Sequence, residues 1–188
     1  MKDSHDHFLA RAEELFDAER YGEALAQYRN YANHPRAQLM VGWIYHHGLG
    51  VQVDVEEARR WYLLAAGQDS IEAQFYLGVL SMKKGEYETG RDLYQRAASQ
   101  GYMPACYRLA WLYESGNGTP IDKEKAFNLF LQTAKQGHLP SQMIVAKKIL
   151  RGYRGQLQRP IGLFLVLKTY LQTILVGIRD LHNDRIRF

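Results

Sequence analysis

Two histidines and two glycines stand together in the stretch HHGLG, at residues 46–50, and this combination could do two kinds of chemistry. A glycine-rich turn before a helix can hold a phosphate group on its backbone N–H groups, and paired histidines can bind a metal ion. The alternative is that Gly48 and Gly50 only join two helices, where glycine tolerates a positive φ. Neighbouring helical side chains point about 100° apart, so His46 and His47 are expected to be surface or helix-end residues.

Few other residues have types and spacing that could do chemistry. Cys106 is the only cysteine, which excludes an intrachain disulfide and a cysteine-based zinc site, and we expect it to be a small buried side chain. His5, His7 and His138 lack carboxylates at a ligand spacing, and the sequence contains no GxSxG, P-loop or HExxH motif. We therefore predict no enzyme activity, no cofactor and no metal site, with an enzyme of unknown class as the third functional alternative.

Composition and charge favour a globular protein with two different ends. Of the 188 residues, 46% are hydrophobic and 23% are charged, as in ordinary soluble domains. Residues 1–140 carry 15 Lys and Arg against 18 Asp and Glu, whereas residues 141–188 carry nine against two. The basic end has no recognised nucleic-acid-binding module, so nucleic acid is not favoured as a partner. The N-terminal stretch lacks the apolar run of a secretory signal, so we expect a cytoplasmic protein.

The elements that must position these residues become visible when the chain is aligned with itself. Similar segments begin at Ala37, Ala73, Ala105 and Ser141, at spacings of 36, 32 and 36 residues. Within them apolar residues recur at intervals of three and four, which is typical of amphipathic helices. Small residues also recur in register: Gly42, Gly78, Ala110 and Ala146, then Ala58, Gly90, Ala126 and Gly162. This period predicts stacked pairs of helices, with small residues where two helices approach closely.

The same alignment decides how the two glycines are interpreted. The first and third segments share GLGVQVD and GNGTPID, whereas the second joins its helices through the shorter KKGEYE. A phosphate loop that is present in one repeat and deleted in the next is not favoured. We therefore predict a structural joint, with a positive φ at one glycine at least of each GxG stretch. Asp54 and Asp122, which end the two long joints, are predicted to cap the helices that follow.

A longer pattern connects these features to a known family. Residues 37–66 follow A-x4-G-x2-Y-x2-G-x-G-V-x2-D-x3-A-x2-W-Y-x2-AA, and residues 105–137 follow it with an alanine in the glycine place. This pattern resembles the Sel1-like repeat (SLR) family, a relative of the tetratricopeptide repeat. The resemblance implies an all-α fold, a right-handed α-α superhelix of helix hairpins forming one solenoid domain over 1–188. Its predicted parts are a tetratricopeptide-like hairpin at 5–34, repeats at 37–72, 73–104 and 105–140, a degenerate repeat at 141–178 and a basic tail at 179–188.

The resemblance also implies a function. Members of the family typically act as adaptors that assemble protein complexes, and the first helix of each hairpin lines a concave groove. Some cysteine-rich relatives were described as β-lactamases, but this chain lacks their paired cysteines, so that activity is not implied. We therefore predict a non-enzymatic adaptor or scaffold that binds a protein or peptide segment in the groove and helps to assemble a complex.

Helix geometry nominates the groove residues, because the exposed edge of each first helix recurs at fixed positions after its start. They are Leu39, Trp43, His47, Phe75, Val79, Lys83, Tyr107, Trp111, Glu114, Met143, Lys147 and Arg151. Trp43 and Trp111 occupy the same position two repeats apart and are the predicted anchors, because large rigid aromatics dominate many binding surfaces. The alternative is that both rings are packing residues.

The last predicted helix, residues 161–178, is apolar around most of its circumference. A terminal solenoid helix normally has a polar outer face, so we expect a cover over Phe164, Leu167, Leu171, Ile174, Leu175 and Ile178. One alternative is a second copy of the chain or another protein, and another is the chain's own residues 179–188. The third is an anionic membrane surface, which would attract the surrounding basic residues and make the protein a membrane-peripheral assembly or regulatory protein. A membrane span is not favoured, because Lys168 lies near the middle of a short segment.

Overall fold

Nine α-helices follow one another along residues 2–153 of the computed structural model. The structure describes these residues, with side chains from residue 9 onward, together with residues 161, 163–165, 167–169, 171 and 172. The helices are α1 (Lys2–Asp17), α2 (Tyr21–Asn30), α3 (Pro35–His47), α4 (Val55–Ala66), α5 (Ile71–Lys84), α6 (Tyr87–Ser99), α7 (Met103–Ser115), α8 (Lys123–Lys135) and α9 (Leu139–Leu150). The described residues from 161 to 172 are also helical and are called the C-terminal helix below. Every regular element in the described residues is helical, which confirms the all-α prediction.

The chain divides into two compact units, residues 1–105 and residues 106–188. The first unit holds α1–α6 and the beginning of α7, and the second holds the rest of α7, α8, α9 and the C-terminal helix. Within the first unit, α1, α2 and α3 share a core that includes Leu15, Tyr28 and Val41. The predicted organisation as one solenoid domain stays a prediction.

In the pairs α3–α4 and α5–α6 of the first unit, a glycine on the first helix packs against a tyrosine ring on the second. A Cβ atom on Gly42 of α3 would lie 2.7 Å from two ring carbons of Tyr62 of α4. A Cβ atom on Gly78 of α5 would lie equally close, 2.7 Å, to the ring of Tyr94 of α6. Both rings are buried, so neither can move away without opening the core. The predicted role of the small residues, close approach of two helices, is confirmed at these pairs.

The second unit uses an alanine and a phenylalanine at the corresponding positions. Ala110 of α7 and Phe130 of α8 are fully buried and belong to one core, together with Ala126 of α8 and Val145 of α9. The pairing of a small residue with a large ring is therefore common to both units, although the residue types differ.

The two long joints end their first helices with left-handed backbone conformations. The φ angle is 68° at Gly48, 65° at Gly50, 79° at Gly116 and 69° at Gly118. Side chains other than glycine seldom adopt this region. The prediction of a structural joint with positive φ is therefore confirmed.

Both predicted aspartate caps are also confirmed. Asp54 Oδ1 accepts a hydrogen bond from the backbone N–H of Glu57 at 2.8 Å, and Asp122 Oδ1 accepts one from the N–H of Lys125 at 2.9 Å. Each bond satisfies an N–H group that has no partner within its own helix.

The three joints that connect α3 with α4, α5 with α6 and α7 with α8 each contain an equivalent backbone hydrogen bond, although the joint between α5 and α6 is four residues shorter than the other two. In each, the N–H of the residue that precedes the second helix donates to a carbonyl in the last turn of the first helix. The pairs are Asp54 with Tyr45 at 3.0 Å, Glu86 with Ser81 at 2.9 Å and Asp122 with Tyr113 at 2.9 Å. This bond, called the joint clamp below, fixes where the second helix begins.

The C-terminal helix contacts the core formed by α8 and α9 through Leu165. Leu165 is half-buried against the core that contains Phe130 and Val145. Thr169 is buried, and its hydroxyl donates to the carbonyl of Leu165 at 2.8 Å. Among the described residues, no helix combines the length and the apolar character that crossing a membrane requires.

Candidate functional site

The first unit contains a cleft of about 300 Å³, and half of its lining residues are aromatic. It lies among α1, α3, α5 and the residue that precedes α7. The lining residues are Phe16, Arg36, Leu39, Met40, Trp43, Glu72, Tyr76 and Tyr102. We call this site the aromatic cleft.

Trp43 is held in the cleft by contacts from two other helices. Its indole N–H donates to the hydroxyl oxygen of Tyr76 at 3.2 Å. The Phe16 ring packs against it edge-on, with ring centroids 5.5 Å apart. Because the indole is half-buried and bonded at its polar end, it is a pre-positioned side chain, as a binding anchor requires.

The two tyrosines of the cleft are also supported from behind. Tyr76 stacks on the buried Tyr62 at a centroid distance of 5.3 Å and an interplanar angle of 14°, and Tyr102 meets the edge of Phe75 at 5.4 Å. Burial, followed by the proximity of Tyr76 and Glu72, raises the pKa of Tyr102 to about 12. The phenol therefore stays protonated at neutral pH, and its oxygen can accept a hydrogen bond while its O–H donates.

The two charged residues of the cleft differ in their partners. Arg36 donates to Glu13 Oε1 at 3.2 Å, so its charge is compensated within the first unit. Glu72, in the first turn of α5, is half-buried. Its side chain makes no hydrogen bond or ion pair with the described part of the chain. Glu72 is therefore the uncompensated charge at this site.

The histidine pair lies beside the cleft in two different environments. His47 is exposed, and its Nδ1–H donates to the carbonyl of Trp43 at 3.0 Å. His46 is half-buried, and the ammonium of Lys83 donates to its Nε2 at 3.3 Å. Since an ammonium group can only donate, Nδ1 carries the proton and donates to the Tyr62 hydroxyl, also at 3.3 Å. Burial, then His47 and Lys83, lowers the pKa of His46 from 6.5 to about 4.

Two of the predicted groove residues in the first unit are not exposed. Leu39 and Phe75 are only 5% and 8% exposed, so the prediction that they lie on an open edge is wrong. Leu39 packs into the core with Tyr62, although it also contributes to the cleft, and Phe75 is enclosed by Tyr94 and Tyr102.

The other predicted groove residues of the first unit lie nearer the surface. Trp43 and Val79 are half-buried, and His47 and Lys83 are exposed. Trp43 is the member of this group that lines the aromatic cleft.

In the second unit, the predicted groove residues are divided between contacts and solvent. Trp111 is 43% exposed, and its ring lies 5.4 Å from that of Phe130. Glu114 accepts from Lys148 at 2.7 Å. Tyr107 and Met143 are half-buried, and Lys147 and Arg151 are exposed. Their predicted role in binding stays a prediction.

Sequence reasoning missed three of the four aromatic walls. Phe16 comes from the N-terminal hairpin, and Tyr102 comes from the connection before α7, so neither falls in the repeat position used for prediction. Tyr76 stands one position after the buried Phe75 on α5. In the next repeat, Val79 stands at the position of Trp43, and Tyr76 lies one helical turn before it. A search for aromatic residues within one turn of that position could have found Tyr76, but not Phe16 or Tyr102.

The outer face of the C-terminal helix is a second candidate site. Phe164, Leu167 and Leu171 are 64%, 56% and 62% exposed. The remaining predicted interface residues, Ile174, Leu175 and Ile178, lie outside the described residues.

The repeat register shows how unusual this outer face is. In α6, the exposed positions two, five, six and nine residues after Gly90 hold Asp92, Gln95, Arg96 and Ser99. The equivalent positions after Gly162 hold Phe164, Leu167, Lys168 and Leu171, which are likewise exposed. The fold therefore directs these positions to solvent, and only their chemistry has changed.

Catalytic and metal chemistry receive no positive support from these residues. No group of three His, Cys, Asp or Glu side chains in the described part of the chain is placed to hold a metal ion. Cys106 is fully buried, as predicted, and burial raises the pKa of its thiol. A buried thiol with a raised pKa is a poor nucleophile.

Comparison with protein families identifies three repeats. The Sel1 repeat family model matches residues 35–70, 71–102 and 104–138, which together make up more than half of the chain. These boundaries coincide with the helix pairs α3–α4, α5–α6 and α7–α8.

Similar proteins occur in unrelated organisms. A putative sel1-like repeat-containing protein of Acanthamoeba polyphaga mimivirus is 32% identical over 41% of this chain and 14% of its own length. Chitin synthase regulatory factor 3 of Schizosaccharomyces pombe is 32% identical over 54% of this chain and 12% of its own length. The chain thus spans less than a quarter of either relative.

Solved structures show the same fold. A Sel1 repeat protein from Oxalobacter formigenes matches with a TM-score of 0.67 and 29% identity, over 74% of this chain and 60% of that one. A protective antigen of uropathogenic Escherichia coli with an SLR fold matches with a TM-score of 0.55 and 24% identity, over 88% of this chain and 45% of that one. The predicted SLR solenoid fold class is therefore confirmed.

Proposed function

Because the chain belongs to the Sel1 repeat family, whose members are generally protein–protein interaction scaffolds, we propose that it is an adaptor that binds a peptide or protein segment in the aromatic cleft. The observation that carries this proposal is the convergence of four aromatic side chains, Phe16, Trp43, Tyr76 and Tyr102, on one concave site. Aromatic residues are enriched at the centres of protein interfaces, and a few of them supply most of the binding energy.

The rigidity of the cleft supports this proposal. Trp43 and Tyr76 are joined by a hydrogen bond, and Tyr76 is stacked on a buried ring. Binding to side chains that are already ordered loses little conformational entropy. The cleft can therefore bind a short segment without first rearranging.

The test is selection of peptides from a random twelve-residue display library on the full chain, followed by affinity measurements on the selected peptides. Trp43→Ala should weaken their binding by about 2 kcal/mol, or roughly 30-fold. Trp61→Ala is the matched control, because Trp61 is also half-buried and hydrogen-bonded, to Glu57 at 3.0 Å, but does not line the cleft. Equal weakening by both substitutions, or no weakening by Trp43→Ala, would contradict the proposal.

The outer face of the C-terminal helix supports a second candidate function, attachment to an anionic membrane surface. Phe164, Leu167 and Leu171 could enter the interface between headgroups and acyl chains, as in other amphipathic surface helices. Exposed basic residues accompany them in the second unit: Lys147, Arg151 and Lys168. A cation near an anionic membrane contributes about 1 kcal/mol, so a unit that exposes both an apolar helix face and several basic side chains suits this surface.

Flotation with vesicles that contain 30% phosphatidylserine tests this second function. The wild type should float, whereas Leu167→Glu and Leu171→Glu should remain in the soluble fraction. The matched control is Leu63→Glu with Leu64→Glu, because these leucines of α4 are 54% and 52% exposed and Leu63 holds the outer position equivalent to that of Leu167. Recovery of the wild type in the soluble fraction, with vesicles in excess, would rule this attachment out.

A further inference from the structure

We infer that the aromatic cleft recognises a cation, and that its partner is a basic peptide segment that inserts an arginine side chain between the aromatic walls. This inference rests on the proposed function, since it names the chemistry of the segment that the cleft would bind. It adds the requirement that the bound segment carries a positive charge, which does not follow from the repeat pattern.

The walls of the cleft provide the first argument. Phe16, Trp43, Tyr76 and Tyr102 line one site, and the faces of aromatic rings carry partial negative charge. A cation within about 6 Å of such a ring is attracted to it, most strongly by tryptophan, and several rings around one cation form an aromatic cage. An uncharged apolar ligand would use the surface of these rings but not their electrostatic potential.

Glu72 provides the second argument, which is independent of the first. Glu72 lines the cleft together with these rings, and its carboxylate has no hydrogen-bond or ion-pair partner within the described part of the chain. A carboxylate without a partner is available for a charge-assisted hydrogen bond with a bound cation. A cation bound in the cleft would supply the missing partner.

A structural role for Glu72 explains less. It lies in the first turn of α5, where a negative charge interacts favourably with the helix dipole. Glu88 occupies the first turn of α6 in the same way and is exposed. The dipole therefore accounts for an acidic residue at this point of a helix, but not for its position inside an aromatic cleft.

The charge of the surroundings is compatible with a cationic ligand. Arg36 is the cation in the lining, and its guanidinium is paired with Glu13. The first unit as a whole contains 11 Lys and Arg against 15 Asp and Glu, a net charge of −4. A net negative unit attracts basic segments over a longer range than the contact itself.

Arginine suits the cleft better than lysine. Its planar guanidinium stacks on aromatic faces and can present two parallel N–H groups to one carboxylate. The oxygens of Tyr76 and Tyr102 are further acceptors for the remaining N–H groups. Lysine would supply the charge but not the flat surface.

The test uses a nine-residue peptide of alternating glycine and arginine, acetylated and amidated, and a second peptide with citrulline in place of arginine. Citrulline keeps the shape of the side chain and removes its charge. The full chain has three tryptophans, so the indole N–H signals of Trp43, Trp61 and Trp111 can each be followed by NMR. We expect the arginine peptide to shift the Trp43 signal, and the citrulline peptide to bind at least tenfold more weakly.

Two variants separate specific recognition from general charge attraction. Glu72→Gln should weaken the arginine peptide at least tenfold, whereas Glu88→Gln, which removes the same charge from the same helix position, should change its affinity less than twofold. Equal effects of the two substitutions, or equal binding of arginine and citrulline peptides, would overturn the inference.

A third set of peptides shows which conclusion fails. It replaces arginine with leucine, with tryptophan or with glutamate. If one of these shifts the Trp43 signal and the arginine peptide does not, the cleft binds peptides but the cation inference is wrong. If no peptide of any kind shifts that signal, the proposed function of the cleft is wrong as well.

Discussion

The two units are built from related helix pairs, yet they expose different chemistry. Residues 1–105 carry a net charge of −4, from 11 basic and 15 acidic residues, whereas residues 106–188 carry +8, from 13 and 5. The first unit contains a cleft with aromatic walls and an uncompensated carboxylate. The second exposes an apolar helix face accompanied by basic side chains. Shared packing therefore leaves each unit free to present a surface of its own.

The packing itself is where the two units agree. Gly42 packs against the ring of Tyr62, and at the equivalent positions Ala110 and Phe130 share one buried core. These positions are buried in both units. Changes at packing positions should therefore reduce stability strongly, while changes at the surfaces should act on binding.

The largest expected effect comes from filling a packing position. Ala58→Leu should lower the free energy of unfolding by about 1–3 kcal/mol, because an overpacked helix contact must distort and Ala58 is fully buried. Urea unfolding measures this loss. Gly67→Ala is the control, since Gly67 has a φ of −65° and an added Cβ would meet nothing closer than 3.4 Å. An unchanged stability for Ala58→Leu would mean that α3 and α4 are not in close contact.

The next effect distinguishes two tryptophans that share one repeat position. Trp43→Ala should cost about 1–2 kcal/mol of stability, because it removes a half-buried ring and leaves Tyr76 without a hydrogen bond. Trp111→Ala should cost less than about 1 kcal/mol, because the Trp111 ring is 43% exposed. The same urea measurement applies to both, and a larger loss for Trp111→Ala would reverse the comparison.

A smaller effect concerns pH and belongs to the first unit. The pKa of His46 is about 4 in the folded protein, below its ordinary value of 6.5, chiefly because of burial. Between these two values the unfolded state binds a proton that the folded state does not. His46 therefore lowers stability as the pH falls from 6.5 towards 4 and has no such effect above 6.5. His46→Gln should show a shallower loss of urea-unfolding free energy in this window, and an identical slope would contradict the assignment.

The smallest effect on stability is expected at the C-terminal helix. Leu167→Glu and Leu171→Glu should change the unfolding free energy by no more than about 0.5 kcal/mol, because both side chains are mostly exposed. Light scattering on the same samples should give the mass of one chain, 21.8 kDa, for the wild type and both variants. A wild-type mass of two chains that halves in the variants would show that a second copy covers this face.

Much of the fold could be predicted because its determinants are local and repeated. Gly48 and Gly50 stand where the chain must take a positive φ, and Asp54 stands where a helix needs a cap. Each requirement depends only on a few neighbouring residues, and the same residue types recur at Gly116, Gly118 and Asp122 of the third repeat. Errors therefore arose where packing depends on residues far apart in the sequence.

The candidate site shows this limit directly. A helical wheel places Leu39 and Phe75 on an open edge, because it takes account of only one neighbouring helix. In the structure, residues from later parts of the chain cover that edge: Tyr94 of α6 and Tyr102, which precedes α7, enclose Phe75. The aromatic cleft likewise joins Phe16, Trp43 and Tyr102 across 86 residues of sequence, and no repeat position relates them.

The joint clamp has a consequence for engineering. In each long joint, the hydrogen bond that closes the joint connects only its two end residues, Tyr45 with Asp54 and Tyr113 with Asp122. The residues between them take no part in this bond. The short joint, from Ser81 to Glu86, shows that four of them are dispensable to the closure. Lengthening a surface loop costs little free energy. Foreign sequence grafted at the exposed residues of a long joint, between Gln52 and Val53 or between Pro120 and Ile121, should therefore leave the helix pairs on either side in register.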